Sequence, residues 1–276
     1  MEPSPFPIEG SLALPVVLRA RGFRLYTQGG GRLVDLWQSG GRSILGHNPA
    51  GLSRELKNCA DRGLFSPLPH PQERRLLKAL ARLMPRRVFR LYADRFSLSR
   101  ALEGAGFPPT GPFPDPVFGP APDLPGPSGP SLWRPFLDAD VEGPLLIPVL
   151  PWPLSPWVLA LDPALEDRFA PSAALPPVLL AVAARAVYDL VAAGPQGGRP
   201  VYPKINHVLY SAGPSGPWRR RGPYLVYSGA PPVPWETLFR NFLREGFLIP
   251  PDPAEPLILP GLLSPGEEAK LAALLR

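Results

Sequence analysis

Few side chains in this sequence can act as covalent nucleophiles, and the lysines are the most informative of them. A lysine whose amine is neutral condenses with an aldehyde to form an imine, so this residue type is required for imine-based catalysis. The chain has four lysines: Lys57, Lys78, Lys204 and Lys270. Three of them fall on the polar faces of helical patterns. The fourth, Lys204, is therefore the one candidate for a catalytic amine.

Three other groups of charged or polar residues are candidates for contacting a ligand. Arg95 and Ser97 lie in the segment Tyr-Ala-Asp-Arg-Phe-Ser and have the chemistry to bind an anion. Asp138 and Asp140, in Asp-Ala-Asp-Val, can hold a cationic group. Arg219–Arg221 is the densest basic cluster. For each of these groups the expected default is a solvated surface role.

The histidines and the single cysteine give no metal-binding pattern. His47, His70 and His207 are far apart and lack the short ligand spacing of a zinc site. We expect a structural role for His47, and a small buried apolar role for Cys59. One cysteine excludes an internal disulfide.

Apolar spacing and the positions of glycine and proline predict the elements that carry these residues. Helices are predicted over residues 49–62, 71–83, 97–103, 177–192, 235–245 and 265–275. Strands are predicted over residues 23–26, 33–37, 88–92, 145–147, 157–161, 224–227, 247–249 and 257–259. The last helix begins with a capping box, Ser264 to Glu267. No strand is predicted over residues 131–135, because Pro135 interrupts the segment.

Composition restricts the class of protein. Proline makes up 44 of 276 residues, and 45% of the chain is apolar, which favours a packed core with long irregular connections over disorder. The net charge of +6 comes without a dense basic stripe, so nucleic-acid binding is not expected. The apolar run 143–161 contains five prolines and does not predict a membrane span. The N-terminal residues lack a signal-peptide pattern, which predicts a cytoplasmic protein.

One motif near the N-terminus is specific. Between Arg21 and Pro49 the chain has a predicted hairpin ending in Leu-Val-Asp, then Ser39–Gly40, then Leu-Gly-His-Asn-Pro before a helix. This block resembles the opening of class-III pyridoxal-phosphate-dependent aminotransferases, including glutamate-semialdehyde aminomutase. Two later blocks, residues 173–191 and 221–276, resemble the alanine-rich helix and the C-terminal small domain of that family in the same order.

The resemblance implies a fold class and a domain plan. We expect an α/β protein, α+β at its C-terminus, with a reduced fold-type-I aminotransferase architecture and a truncated cofactor domain. The expected divisions are an N-terminal segment with the start of the large domain (1–107), a proline-rich connection with short strands (108–176), and a helix plus small domain (177–276). The family also implies a homodimer, or pairing with an aminotransferase-like relative. Residues 144–161 are a candidate interface.

The chain departs from the family where the cofactor would bind. The family holds the cofactor phosphate with a glycine-containing turn at a helix N-terminus, whereas the matching segment here has no glycine and carries Asp94. The family aspartate at the ring nitrogen corresponds at best to Asp138 or Asp140. The family lysine precedes the alanine-rich helix, whereas Lys204 follows it.

Three functional hypotheses remain open from the sequence. The first is a non-catalytic aminotransferase-like protein, an interaction or scaffold module with no cofactor. The second is an active pyridoxal-phosphate-dependent aminotransferase or aminomutase that uses Lys204, with Asp138 or Asp140 at the ring nitrogen. The third is a binding protein for an anionic metabolite, using Arg95 or Arg219–Arg221.

Overall fold

The computed structural model describes residues 12–119, 129–137, 142–194, 201–213, 216–229 and 233–276. These residues form helices α1 (Leu52–Ala60), α2 (Pro71–Leu83), α3 (Arg95–Gly104), α4 (Pro177–Ala193), α5 (Pro203–Ser211), α6 (Trp235–Arg244) and α7 (Pro265–Leu274). The strands are β1 (Val17–Arg21), β2 (Arg24–Thr27), β3 (Arg32–Asp35), β4 (Val88–Tyr92), β5 (Ser131–Trp133), β6 (Leu145–Pro148), β7 (Trp157–Leu161), β8 (Trp218–Arg221), β9 (Tyr224–Tyr227), β10 (Phe247–Leu248) and β11 (Leu257–Ile258). None of the described helices is both long and apolar enough to span a bilayer.

The central layer is a four-stranded mixed sheet with the strand order β4-β7-β6-β5. Strands β5 and β6 are parallel, and β7 is antiparallel to both β6 and β4. The carboxyl ends of β4, β5 and β6 therefore lie at one edge of the sheet, beside Trp157 at the start of β7. Binding sites of α/β sheets lie at this edge.

Both faces of this sheet are covered, which explains why its inner strands β6 and β7 are continuous buried runs, whereas β4 alternates in burial. Phe89, Leu146 and Val158 belong to the core beneath α2 and α4. Leu145, Leu159 and the neighbouring strand residues of the other face pack against Leu98 and Leu102 of α3 and against Phe113.

Helices α2 and α4 form the layer that covers the first face of the sheet. Helix α2 begins where the sequence predicts, at Pro71, and the Nδ1 atom of His70 accepts a hydrogen bond from the backbone N–H of Gln72 at 3.2 Å. Its residues Leu76 and Leu80 are fully buried against α4. Helix α4 is buried along most of its length, which its alanine-rich sequence permits because small side chains allow close packing.

A second group of elements joins the two ends of the chain. Strand β10 pairs in parallel with β3, next to the β1–β2–β3 antiparallel strands. Strands β8, β9 and β11 form a separate antiparallel sheet. Helices α5, α6 and α7 pack with these strands around one core that contains Leu36, Phe239, Phe242 and Phe247.

Three sequence-based expectations were incomplete or wrong. The segment before Asp138 does form a strand, β5, because its three residues end before Pro135 and gain their hydrogen bonds from β6. Helix α5 was not predicted. Arg219–Arg221, interpreted only as a basic cluster, lies in strand β8, where it pairs with β9.

Candidate functional site

The carboxyl edge of the central sheet meets a strained turn from the N-terminal block. Gln38 and Ser39 both have φ of 51°, and Gly40 and Gly41 also have positive φ. Such backbone costs about 1–3 kcal/mol per non-glycine residue and persists only where the surroundings impose it. Asp35 imposes it in part, because its Oδ1 atom accepts hydrogen bonds from the backbone N–H groups of Trp37 and Gln38 at 2.9 and 2.8 Å.

The other oxygen of Asp35 binds the motif histidine. The Nε2 atom of His47 lies 2.8 Å from Oδ2 of Asp35, which is buried. Beside it, Gly46 has φ of 92°, and a Cβ atom there would lie 3.2 Å from the carbonyl oxygen of Gly22. The Leu-Gly-His motif thus fixes the base of the turn, and this geometry agrees with the structural role expected for His47.

Arg134 lies directly after β5 and occupies the space beneath the turn. Its Nη2 atom lies 2.6 Å from Oδ2 of Asp115, and its Nη1 atom donates to the carbonyl oxygen of Gly40 at 2.7 Å. Its guanidinium also covers the ring of Tyr224. Burial disfavours the charge of Arg134, but the hydrogen bond and charge of Asp115 outweigh this cost and raise the pKa of the guanidinium. This cation is fully compensated inside the protein.

Helix α3 follows β4 at the same edge, and the side chain of Asp94 caps its N-terminus. The Oδ1 atom of Asp94 accepts a hydrogen bond from the backbone N–H of Ser97 at 2.7 Å. This backbone hydrogen bond is the main cause that lowers the pKa of Asp94. Arg95 is exposed and stacks over Phe113, with 5.3 Å from Cζ to the ring centroid. The predicted anion-binding segment is therefore a capped helix start, two residues earlier than the sequence indicated.

A second arginine at this edge has different surroundings. Arg42 follows the strained turn and stacks over the indole ring of Trp157, with 4.9 Å from Cζ to the centroid. Burial lowers the pKa of this guanidinium. No hydrogen bond or ion pair joins it to another described residue. No sequence pattern singled out Arg42, and its place directly after the Ser-Gly-Gly turn was the one available signal.

Lys204 lies away from this edge. It is exposed at the start of α5, and its Nζ atom donates to the carbonyl oxygen of Pro265 at 3.3 Å. It borders an open groove of about 460 Å³ between α5 and α7, together with His207 and Arg276. The other three lysines are also exposed, on α1, α2 and α7.

Two other groups of predicted site residues are Asp138 with Asp140, and Arg219–Arg221. Asp138 and Asp140 lie outside the described residues. Arg220 donates to the carbonyl oxygen of Gly222 at 2.7 Å, and Arg221 donates to the carbonyl oxygen of Pro116 at 2.9 Å. In the part of the chain that the structure describes, no three histidine, cysteine or acidic side chains are grouped so that they could hold a metal ion.

Comparisons with known proteins bear on the fold. No family model matches the chain. An uncharacterised protein of Treponema pallidum is 44% identical over 77 residues, 28% of this chain and 25% of that protein. One of Borreliella burgdorferi is 50% identical over 56 residues, 20% of this chain and 21% of that protein. These matches thus span about a quarter or less of each relative.

Solved structures match over nearly the whole chain at low identity. Ornithine delta-aminotransferase of Plasmodium falciparum has a TM-score of 0.68 and 11% identity, covering 98% of this chain and 94% of that one. Acetylornithine aminotransferase of Elizabethkingia anophelis has a TM-score of 0.65 and 13% identity, covering 97% and 94%. An omega-transaminase of Thermomicrobium roseum has a TM-score of 0.67 and 14% identity, covering 95% and 92%. The chain therefore has the aminotransferase fold, as its sequence blocks indicate.

Proposed function

We propose that this protein uses the aminotransferase fold without pyridoxal-phosphate chemistry and acts as an interaction or scaffold module. One observation carries the proposal: all four lysine side chains are exposed on helices. None lies between Lys78 and Lys204 in the sequence, so none belongs to β5, β6, β7 or their connections. An amine that must meet a bound aldehyde at the carboxyl edge of this sheet is missing.

Two features of the edge also fit the cofactor poorly. The N-terminus of α3 would favour a phosphate, but the carboxylate of Asp94 already occupies it and would repel a second anion. After β5, where the resemblance implies an acid for the ring nitrogen, the chain places Arg134, which is paired with Asp115. We derive no reaction step through pyridoxal phosphate.

The decisive measurement is reductive trapping. The protein is mixed with pyridoxal phosphate, its visible spectrum is recorded, borohydride is added, and the labelled lysines are mapped by mass spectrometry. We expect weak labelling shared among exposed lysines. The variants Lys204→Arg and Lys57→Arg, both at exposed helix positions, should lower total labelling equally. Stoichiometric labelling that only Lys204→Arg abolishes would overturn the proposal.

That outcome would support the alternative, an active aminotransferase or aminomutase with Lys204 as the imine-forming residue. The groove beside Lys204 is large enough for a small molecule, and Arg276 adds a second cation to its lining. This groove lies between α5 and α7 rather than at the sheet edge, so the alternative requires a new site and not the inherited one.

For a scaffold, the partner implied by the resemblance is a second copy of the chain or an aminotransferase-like relative. The segment first considered for the interface is largely internal, since β6 and most of β7 are buried and only Leu154 among its large apolar side chains is well exposed. Phe65 and Leu68, between α1 and α2, are 58% and 65% exposed and are better candidates. Sedimentation velocity of the wild type and a Phe65→Ser, Leu68→Ser double variant tests this: a dimer that the double variant leaves intact excludes this surface.

The second candidate function is binding of an anionic metabolite at the sheet edge. Arg95 is exposed to water where it stacks on Phe113. The guanidinium groups of Arg220 and Arg221 donate hydrogen bonds to backbone carbonyls of the chain itself. The observation that favours the function is a different cation, Arg42, which is desolvated and has no acidic partner among the described residues.

A further inference from the structure

Arg42 differs from two other arginines of low exposure, Arg134 and Arg24. Arg134 is paired with Asp115, and Arg24 with Glu267, at 2.6 Å in each case. Packing also removes water from around Arg42. Among the described residues, however, its guanidinium gains only the cation–π contact with Trp157. A cation–π contact offsets only part of the hydration that a guanidinium loses on partial burial. The charge of Arg42 is therefore under-compensated.

A residue that neighbours Trp157 also carries a polar atom without a partner. Tyr92 is directly opposite Trp157 in the β4–β7 pair, and its hydroxyl is buried without a hydrogen-bond partner among the described residues. Ser155, two residues before Trp157, and Ser43, next to Arg42, have buried hydroxyls in the same condition. Buried hydroxyls are nearly always hydrogen-bonded. The unpartnered hydroxyl of Tyr92 and the under-compensated guanidinium of Arg42 thus belong to two neighbours of the same residue, Trp157.

An external oxyanion would provide both groups with a partner, and the local charge favours an anion with a single negative charge. One guanidinium neutralises one carboxylate, and its planar pair of N–H donors matches the two carboxylate oxygens. A phosphate dianion would bring a second charge into a desolvated place, and the next cation, Arg95, is in water. The rings of Trp157 and Phe113, with centroids 6.4 Å apart, give the site an apolar wall.

We propose that Arg42 and the hydroxyl of Tyr92 bind the carboxylate of a small organic acid whose apolar part packs along Trp157 and Phe113. This inference rests on the second function proposed above and gives it a site and a ligand class. It does not depend on the fate of the lysines, so trapping of pyridoxal phosphate and binding of a carboxylate can succeed or fail separately.

Calorimetric titration with benzoate, acetate and inorganic phosphate, at constant ionic strength, tests the site. We expect benzoate to bind more tightly than acetate, and phosphate to bind most weakly. Arg42→Met should weaken benzoate binding by about tenfold or more, the loss expected for a charge-assisted hydrogen bond. Tyr92→Phe should weaken it by a smaller factor. Arg19→Met, which removes an exposed arginine that stacks on Tyr26 of the N-terminal hairpin, is the matched control and should leave binding nearly unchanged.

Thermal unfolding of the same variants separates binding from a purely structural role. Without added anion, Arg42→Met should melt at or above the wild-type temperature, because it removes an under-compensated buried charge. Benzoate should raise the melting temperature of the wild type and not of Arg42→Met. The inference is overturned if Arg42→Met binds benzoate as the wild type does, if phosphate binds best, or if the wild type binds none of the three anions.

Discussion

The Oδ1 atom of Asp94 lies 2.7 Å from the backbone nitrogen of Ser97, so the chain caps helix α3 with its own carboxylate at the edge where the aminotransferase fold would present a helix start to a ligand. The cap satisfies one of the free N–H groups of the first turn. It also places a negative charge where an incoming anion would have to bind. The same contact therefore stabilises the helix and disfavours an anion at its N-terminus.

The first prediction concerns this cap. Asp94→Ala should lower the melting temperature, whereas Asp94→Asn should retain the hydrogen bond and lose only the charge. The pKa of Asp94 is lowered in the folded protein, so its ionisation contributes stability above the unfolded pKa of about 3.9. That contribution is lost as the pH falls through the lower folded pKa. Melting curves from pH 7 to pH 2 should thus show wild type and Asp94→Asn converging in acid; a constant difference would contradict the assignment.

Local sequence signals predicted the elements whose ends carry their own stabilising residues. Helix α7 was found from Ser264, Pro265 and Glu267, and the structure contains both hydrogen bonds of that capping box. Helix α2 was found from Pro71 and its apolar spacing. In such cases the residues that fix an element are neighbours in the chain, so a single sequence suffices.

Elements that depend on distant partners were missed for the opposite reason. Strand β5 is only three residues long and exists because β6 pairs with it. Helix α5 has no side-chain cap of its own, and the backbone N–H of Lys204 is satisfied by Glu268 of α7. Tertiary contacts of this kind override local propensity and leave no local signal.

The candidate site was predictable only in outline. The N-terminal motif and the positions of the four lysines are both readable from residue type and order. The sequence did not show that Arg134 meets Asp115 or that Arg42 meets Trp157, because these contacts join residues separated by proline-rich connections whose paths are set by packing.

The second prediction concerns the motif glycine. Gly46→Ala should destabilise the protein, by roughly 1–3 kcal/mol, because the residue must keep a left-handed φ and its new methyl group would crowd the backbone of Gly22. Gly63 also has positive φ, but no atom lies within 4 Å of its hypothetical Cβ. Gly63→Ala should therefore cost less, on the order of 1 kcal/mol. Urea denaturation measures both, and equal losses would show that crowding at Gly22 is unimportant.

The third prediction concerns the buried ion pair under the strained turn. Arg134→Met should destabilise the fold by about 3–5 kcal/mol, because it leaves the carboxylate of Asp115 without its cation. Combining it with Asp115→Asn should restore part of the loss, which a double-mutant cycle detects as a coupling energy. Arg90→Met, whose partner Glu166 is half-exposed, should cost much less. Additive effects of the two substitutions in the cycle would mean that the pair is not coupled.

The last prediction follows from the ion pair that joins the N-terminal hairpin to α7. Arg24 binds Glu267 through two hydrogen bonds, of 3.0 Å to Oε1 and 2.6 Å to Oε2. Burial opposes ionisation of Glu267, but hydrogen bonds from Arg24 and Ser264 and the charge of Arg24 outweigh it and lower the pKa to about 2.

Because the folded pKa is depressed, the ionised pair stabilises the protein above the unfolded pKa of about 4.3 and loses its effect as the pH falls towards 2. Allowing for solvent screening, Glu267→Gln should cost about 1–2 kcal/mol at pH 7. Glu236→Gln breaks a pair that is largely exposed, with Arg240, and should cost less than about 0.5 kcal/mol. Urea denaturation at pH 7 and at pH 2.5 measures both differences. The Glu267→Gln deficit should shrink at the lower pH, and a deficit that is the same at both pH values would show that the stability comes from the capping geometry and not from the charge.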